Sequence, residues 1–539
     1  MIAREEEPTR QLPVTLLSGF LGSGKTTLLE HILKSPSHGL RIAVIVNDMS
    51  SYASYPPPHS FTTKNTTNHQ SNFQTKEKLI QLQNGCICCT LRGDLLSELA
   101  RLTKQKEVDY VVIESTGISE PMQVAETFTS EFSMAMLEAE DQFGPDGPDG
   151  EDAMEGVDEE GRRILEEIAR MGGLHTMAKL DTTVTVIDAF NLLSNFDTTE
   201  FLSDRYGRDE IVPEDERTIS DLMVDQIEFA DVLIMNKIET VPEETRGKIR
   251  RLVGLLNPDA KLIECSYSNV DVKEIIGTGR FNFLKAASGA GWLRSLHEMT
   301  VVNTGNGKRV APKPETLEYG INNFVYSARR PFHPRRLFSL LHDKFIILQS
   351  LHSHGDGDEE EEDDEEDDEE MEDEDSGSEI DDFDQPDQAV ILANKRAHPA
   401  FGPILRSKGF FWLATRPMHF GEWSQAGGML TVGPGGPWFA EVPEEMWPED
   451  KDVRESIERD FQGKWGDRRQ ELVFIGEGLD IEAITKLLDE CLLDDKDWRR
   501  WEQVMGSKKL DILGKHEKLS GMWEDGWEDW PAPGEEIEH

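Results

Sequence analysis

One octapeptide constrains this chain more than any other feature. Gly19-Phe20-Leu21-Gly22-Ser23-Gly24-Lys25-Thr26 fits G-x-x-x-x-G-K-[ST] without a mismatch. Its setting is as telling as its letters. The apolar run PVTLLSGF leads into it, and TTLLEHILK, with apolar residues at helical spacing, comes next. A strand, a glycine loop and a helix in that order predict βαβ units and a parallel sheet. Gly19, Gly22 and Gly24 let the backbone curl until successive N–H groups face a phosphate. The helix N-terminus adds partial positive charge. Lys25 reaches the β and γ oxygens of a nucleotide, and Thr26 offers a hydroxyl to Mg²⁺. Ser23 belongs to the same cradle.

The 539 residues suffice for two to four domains at roughly 100–200 residues each. Residues 1–12 read as a polar arm and 13–280 as the nucleotide domain. RIAVIVND, KLIQL, DYVVIESTG, TTVTVIDAF, ADVLIMN and AKLIECSY are its further short apolar strands. Residues 50–75 are rich in Ser, Thr, Asn and Pro, without a period, and read as a loop. Residues 138–160 form an acidic insertion with Gly-Pro and Pro-Asp-Gly turns. Residues 281–316 read as a linker and 317–510 as a second domain, interrupted by an acidic insertion at 354–388. From Asp356 to Asp375, 18 of 20 positions are Asp or Glu. Such a block repels itself and stays solvated, so these insertions are expected to be disordered. A weak metal reservoir, with His352 and His354 beside it, is the alternative. Residues 511–539 read as a tail.

Three more features carry chemistry. Asn236-Lys237-Ile238-Glu239 comes directly after the apolar run DVLIM. At a strand end, N-K-x-[acid] suits guanine: the acid accepts from N1–H and the exocyclic amine, which adenine cannot supply, while the lysine stem lies along the ring. Glu239 stands where Asp is usual, which leaves an ATP-dependent enzyme open. Glu114, ending the strand DYVVIE, and Asp48, ending RIAVIVND, are placed to hold Mg²⁺ or to orient water. Cys86, Cys88 and Cys89 crowd into four positions. Thiolates are soft ligands suited to Zn²⁺, Co²⁺ or Cu⁺, and three leave one coordination position open. Inert buried thiols and a redox pair are the alternatives.

Charge narrows the partners. With 56 Lys and Arg against 105 Asp and Glu, the net charge is −49. That argues against nucleic acid as a partner and against a basic membrane-surface protein. No apolar run approaches the length of a membrane span, and the acidic N-terminus is no signal peptide. Five cysteines, three of them clustered, do not make a disulfide framework. The expected setting is reducing and cytoplasmic, with the nucleus open.

GFLGSGKTTLLEHIL, AVIVND, LQNGCICCTLRGDLL, DYVVIESTGISEP and ADVLIMNKIE, in that order, resemble the CobW-type zinc-regulated GTPases. FVYSARRPFHPRRLFSLL, RSKGFFWLA and GDRRQELVFIG resemble that family's C-terminal domain. The resemblance implies an α/β P-loop domain of the SIMIBI type with a smaller α+β C-terminal domain. It implies Mg²⁺-dependent GTP hydrolysis coupled to transfer of a metal, most often zinc, to a client metalloprotein. It carries Gly22, Gly24, Lys25, Thr26 and Thr27 to phosphate and Mg²⁺, and Cys86, Cys88 and Cys89 to metal. It also carries Glu114 to the switch, and Asn236, Lys237 and Glu239 to guanine. A homodimer stays open. One departure stands out: SYASYPPPHSFTTKNTTNHQSN replaces the acidic, apolar switch segment usual after NDMS. It reads as foreign sequence, a retained intron or a gene-model error. A zinc sensor or buffer with little turnover is therefore the alternative to a GTP-hydrolysing chaperone.

Overall fold

The computed structural model describes residues 11–47, 78–82, 91–129, 174–196, 198, 218–283, 301–304, 307–310, 321–349, 386–447 and 451–530. Asp48, the cysteine triplet, the 50–75 stretch, the 138–160 insertion and the acidic run lie outside these residues. The chain divides into two compact units, Met1–Ile321 and Asn322–His539.

The first unit is built on seven strands: β1 (Leu12–Ser18), β2 (Ile42–Asn47), β3 (Lys78–Leu82), β4 (Tyr110–Glu114), β5 (Ala178–Asp188), β6 (Val232–Asn236) and β7 (Lys261–Glu264). They pair in the order β3-β2-β4-β1-β5-β6-β7, and each adjacent pair is parallel. Parallel neighbours need crossover connections, so helices cover both faces and the strands are apolar on both sides. The period of two shows in β2. Ala43 and Ile45 join one core with Leu95 and Leu99 of the helix Leu91–Gln105. Val44 and Val46 join the other with Leu28, Leu29 and Ile32 of the helix Lys25–Lys34.

One consequence fixes the site. All seven strands end on the same edge of the sheet. β1 has β4 on one side and β5 on the other, and the crevice at such a strand's carboxyl end is where open α/β sheets bind ligands. The α/β fold with a mainly parallel sheet, expected from the sequence, is present.

The second unit holds a six-stranded mixed sheet: β10 (Ile321–Ala328), β11 (Ile346–Gln349), β12 (Ile404–Phe411), β13 (His419–Ala426), β14 (Met429–Pro437) and β15 (Gln470–Glu477). The order is β10-β15-β12-β13-β14-β11. β12 is antiparallel to β13 and β15, and β11 is parallel to β14. The helices Pro334–Leu341 and Ile481–Cys491 pack Leu337, Phe338, Leu341, Ile484 and Leu488 into one core with Phe411 and Phe474. The next strand-end residue, Trp412, sits in another core with Trp438, Trp501 and Leu519. A two-stranded hairpin, β8 (Val301–Thr304) with β9 (Gly307–Val310), lies within the stretch read from sequence as a linker.

Residues 511–530, set apart in the sequence as part of a tail, are folded. Asp511 caps the helix Ile512–Ser520 by accepting from the Gly514 backbone N–H at 2.9 Å. Beyond it, Trp527 and Trp530 enter the core beside Phe411. The Trp527 indole N–H donates to the Pro334 carbonyl at 3.0 Å. The buried Arg416 guanidinium donates to the Trp527 carbonyl at 2.9 Å and the Glu528 carbonyl at 2.6 Å, and pairs with Asp525. The acidic, Trp-rich letters look like solvated chain, but the acids cap and pair while the tryptophans bury. Among the described residues no helix is long and apolar enough to cross a membrane.

Trp527→Ala is expected to destabilise the second unit by about 3–5 kcal/mol, the usual cost of deleting a buried aromatic. Denaturant unfolding followed by tryptophan fluorescence measures it. A loss under ~1 kcal/mol would return the segment to the status of a tail.

Candidate nucleotide site

The loop Gly19–Gly24 leaves β1 and enters the helix at Lys25, as the sequence predicts. Gly19, Gly22 and Gly24 have φ of +133°, +76° and +109°, the left-handed region that glycine tolerates. Gly24 is also crowded. A Cβ there would collide with the Asn236 Nδ2 and meet the Ser268 Oγ at 2.9 Å. Two further strand ends therefore press on the loop.

That contact is an anchor. The buried Asn236 carboxamide donates from Nδ2 to the Ser23 carbonyl at 2.9 Å and to the Ser268 Oγ at 3.0 Å. Its Oδ1 accepts the Ser268 backbone N–H at 2.9 Å and the Cys265 thiol at 3.6 Å. The Ser268 hydroxyl donates to the Gly24 carbonyl at 3.0 Å. Asn236, read from the sequence as a guanine residue, thus spends its amide on shaping the phosphate loop. Ser268 was not singled out from sequence. Its signal is small residues directly after the last strand of the sheet. Tyr267 and Ser268 both have φ of +55°, and Tyr267 stands 77% exposed at the same edge.

Lys25 is buried and donates to the Gly19 carbonyl at 2.6 Å and the Phe20 carbonyl at 3.3 Å. Burial lowers its pKa to about 8, and the nearby Glu114 carboxylate partly opposes the fall. Glu114 is buried at the end of β4 and accepts the Thr26 hydroxyl proton at 3.2 Å. The hydroxyls of Ser23 and Thr116 are buried without a hydrogen-bond partner among the described residues. Orphaned buried hydroxyls beside a nest of N–H groups are the pattern expected where phosphate oxygens and their water shell bind. Thr27 is exposed on the first helical turn.

On the base side, Lys237 takes a left-handed turn at φ +61° after β6. Its ammonium pairs with Asp188 at 2.7 Å. Glu239 is exposed in the adjoining turn Ile238–Thr240. Asp188, like Ser268, was missed from sequence because its partner lies 49 residues away. Burial pushes the Cys265 thiol up to about 11 and the Cys491 thiol up to about 12. Neither is poised to be a thiolate; Cys86, Cys88 and Cys89 lie outside the described residues.

Residues 13–142 and 164–264 match the profile of the CobW/HypB/UreG nucleotide-binding domain, and residues 381–492 match that of the cobalamin synthesis protein CobW C-terminal domain. The chain is 35% identical over 499 residues to the zinc-regulated GTPase metalloprotein activator 1 of Dictyostelium discoideum, covering 91% of this chain and 83% of that protein. The chain belongs to the CobW family. It is 24% identical over 270 residues to the zinc chaperone CobW of Pseudomonas aeruginosa, covering 50% of this chain and 60% of that one. A similar solved structure is the Zn(II)-bound YjiA GTPase from E. coli, at 15% identity and a TM-score of 0.29, covering 90% of this chain and 100% of that one. Family membership gives this chain a CobW-type nucleotide-binding domain followed by a CobW-type C-terminal domain.

The Lys25 environment predicts a pH dependence. In the free loop the ammonium has a pKa of about 8. A bound triphosphate favours the charged form, so its pKa rises on binding. Protons are therefore taken up above about pH 8, and affinity falls as pH climbs past that value, by at most about tenfold per pH unit. Calorimetric titrations of GTP at pH 7 and pH 9, in buffers of different ionisation enthalpy, measure the uptake. Equal affinity and no uptake at pH 9 would show that Lys25 stays charged throughout.

Proposed function

We propose that this CobW-family chain hydrolyses GTP in a Mg²⁺-dependent reaction and uses the nucleotide state to load Zn²⁺ and release it to a client metalloprotein. One topological observation carries the reading. β3 ends at Leu82 and the next helix begins at Leu91, and Cys86, Cys88 and Cys89 belong to the stretch of sequence between the two. The carboxyl end of β3 lies on the same sheet edge as the phosphate loop. Three strand spacings separate β3 from β1, or about 14 Å at roughly 4.8 Å each. The names of the D. discoideum and P. aeruginosa relatives support zinc as the cargo.

Each residue then has a role. The loop N–H groups and Lys25 hold the β and γ phosphates and stabilise charge developing on the transferred group. Thr26 and Glu114 offer hard oxygens of the kind Mg²⁺ takes; the ion would neutralise charge between the β and γ oxygens. Asp48, one residue past the end of β2, would serve the same ion or a water. The Lys237 stem would lie along guanine and Glu239 would accept from its N1–H and amine. The three thiolates would hold Zn²⁺ with one position left for exchange. Coupling requires that zinc bind the two nucleotide states with different affinity.

The second reading, a nucleotide-bound zinc sensor or buffer with little turnover, is favoured by the foreign-looking sequence at 50–75. Phosphate release over many turnovers, with and without one equivalent of Zn²⁺, separates the two. Zinc-dependent turnover is expected; binding of GTP without turnover in either condition selects the sensor. Nucleotide and zinc are further expected to change each other's affinity by one common factor. Identical zinc affinities in GTP and GDP would sink the coupling. Cys88→Ala should remove zinc binding, while GTP affinity measured without zinc stays within about twofold of the zinc-free parent, since the thiolates touch the metal and not the nucleotide. Unchanged zinc stoichiometry would exclude the triplet.

A further inference from the structure

Lys237 adopts a conformation that a lysine avoids, and something must hold it there. A side chain with a Cβ is disfavoured in the left-handed region, because the Cβ crowds the following carbonyl oxygen. The Thr240 N–H, at 3.0 Å, and the Thr240 hydroxyl, at 2.7 Å, both donate to the Lys237 carbonyl and fix the backbone. The side chain is fixed separately. Its ammonium sits 2.7 Å from the Asp188 Oδ2, with Asp188 itself only 9% exposed and Lys237 33% exposed. Asp188 is not free to swing. The Phe190 N–H donates to its Oδ1 at 3.0 Å, and the Asn191 amide to its Oδ2 at 2.8 Å. Asp188 and Asn236 are opposite each other as the last residues of β5 and β6, and the Ala189 N–H donates to the Asn236 carbonyl at 3.1 Å. The carboxylate therefore has a set position relative to the Asn236 that shapes the phosphate loop.

We infer that Asp188 is a positioning residue for base recognition: by holding the Lys237 ammonium at the end of β5, it lays the lysine's aliphatic stem as the surface on which a purine ring stacks. The inference rests on the reading of residues 236–239 as the base site. Residues held in a strained backbone conformation recur at ligand sites. An ammonium pinned at both ends of its stem also loses less side-chain entropy when the ring arrives.

The test uses the full chain, with GTP, GDP and magnesium tripolyphosphate as probes. Tripolyphosphate engages the loop but has no ring. Asp188→Asn should weaken GTP and GDP by about tenfold, the scale of one lost charge-assisted contact, and leave tripolyphosphate within about twofold. Asp188 acts through Lys237, so Asp188→Asn added to Lys237→Met should weaken GTP no further than Lys237→Met alone. Equal losses for GTP and tripolyphosphate would overturn the inference, because a collapsed site loses both. Additive losses in the double variant would overturn it as well. Failure of the guanine reading looks different: the parent protein would bind ATP as tightly as GTP. The same double-variant cycle then runs with ATP, because stacking on the stem needs only a purine.

Discussion

The buried carboxamide of Asn236 is the interaction on which the nucleotide site depends. It belongs to β6, yet it bonds the carbonyl of Ser23 in the loop after β1 and both the N–H and hydroxyl of Ser268 in the turn after β7. One side chain thus fastens three strand ends that lie far apart in sequence. All its hydrogen-bonding directions are used, which matters because an unpaired buried amide costs about 1–3 kcal/mol. The loop's glycine geometry alone would leave its N–H groups free to point many ways. Fastened through Ser23, they point one way, and a phosphate cradle is a matter of direction more than of composition.

The parallel sheet makes such a convergence possible. Every strand in it must end on one edge, so the residues just past the strands are brought together whatever their spacing in sequence. Glu114 at the end of β4, Asp188 at the end of β5 and Asn236 at the end of β6 meet at the edge of the loop after β1 for this reason. The consequence is that polar side chains converge in a partly buried place, and each is stabilised by a neighbour: Glu114 by the Thr26 hydroxyl, Asp188 by Lys237 and Asn191. Such mutual satisfaction keeps a preorganised site from relaxing into a less useful one.

This also sets what was legible in the sequence. The glycine loop was, because its chemistry sits in eight consecutive residues. So were the strands, from short apolar runs, and the place of Glu114 at the end of one of them, whereas its hydrogen bond from Thr26 comes only from the fold. Asp188 and Ser268 were not, because their roles depend on partners that only the sheet order places beside them. Asn236 was legible as a site residue, although its amide is used on the loop. The segment 511–530 misled for another reason. Composition marks it as solvated, whereas Arg416 and a pocket beside Phe411 and Phe338, more than a hundred residues upstream, decide its fate.

Distance constrains how metal and nucleotide could speak to each other in the proposed chaperone. The strand leading into the thiolate segment is about 14 Å from β1 at ordinary strand spacing. Two unit charges that far apart interact by about 1 kcal/mol at an effective dielectric near 20, and by less once salt screens them. That is the bottom of the range of measured coupling energies, roughly 1–3 kcal/mol. Stronger coupling needs a moving element, and the sheet order names where it would lie. β2 and β4 stand between β3 and β1; Asp48 comes directly after β2, and Ser115-Thr116-Gly117 directly after β4. Gly117 already touches the loop: a Cβ there would meet the Leu21 side chain at 2.5 Å. In the proposed chaperone, a shift of the loop would press on the turn after β4, so coupling to the next strands would run through that turn.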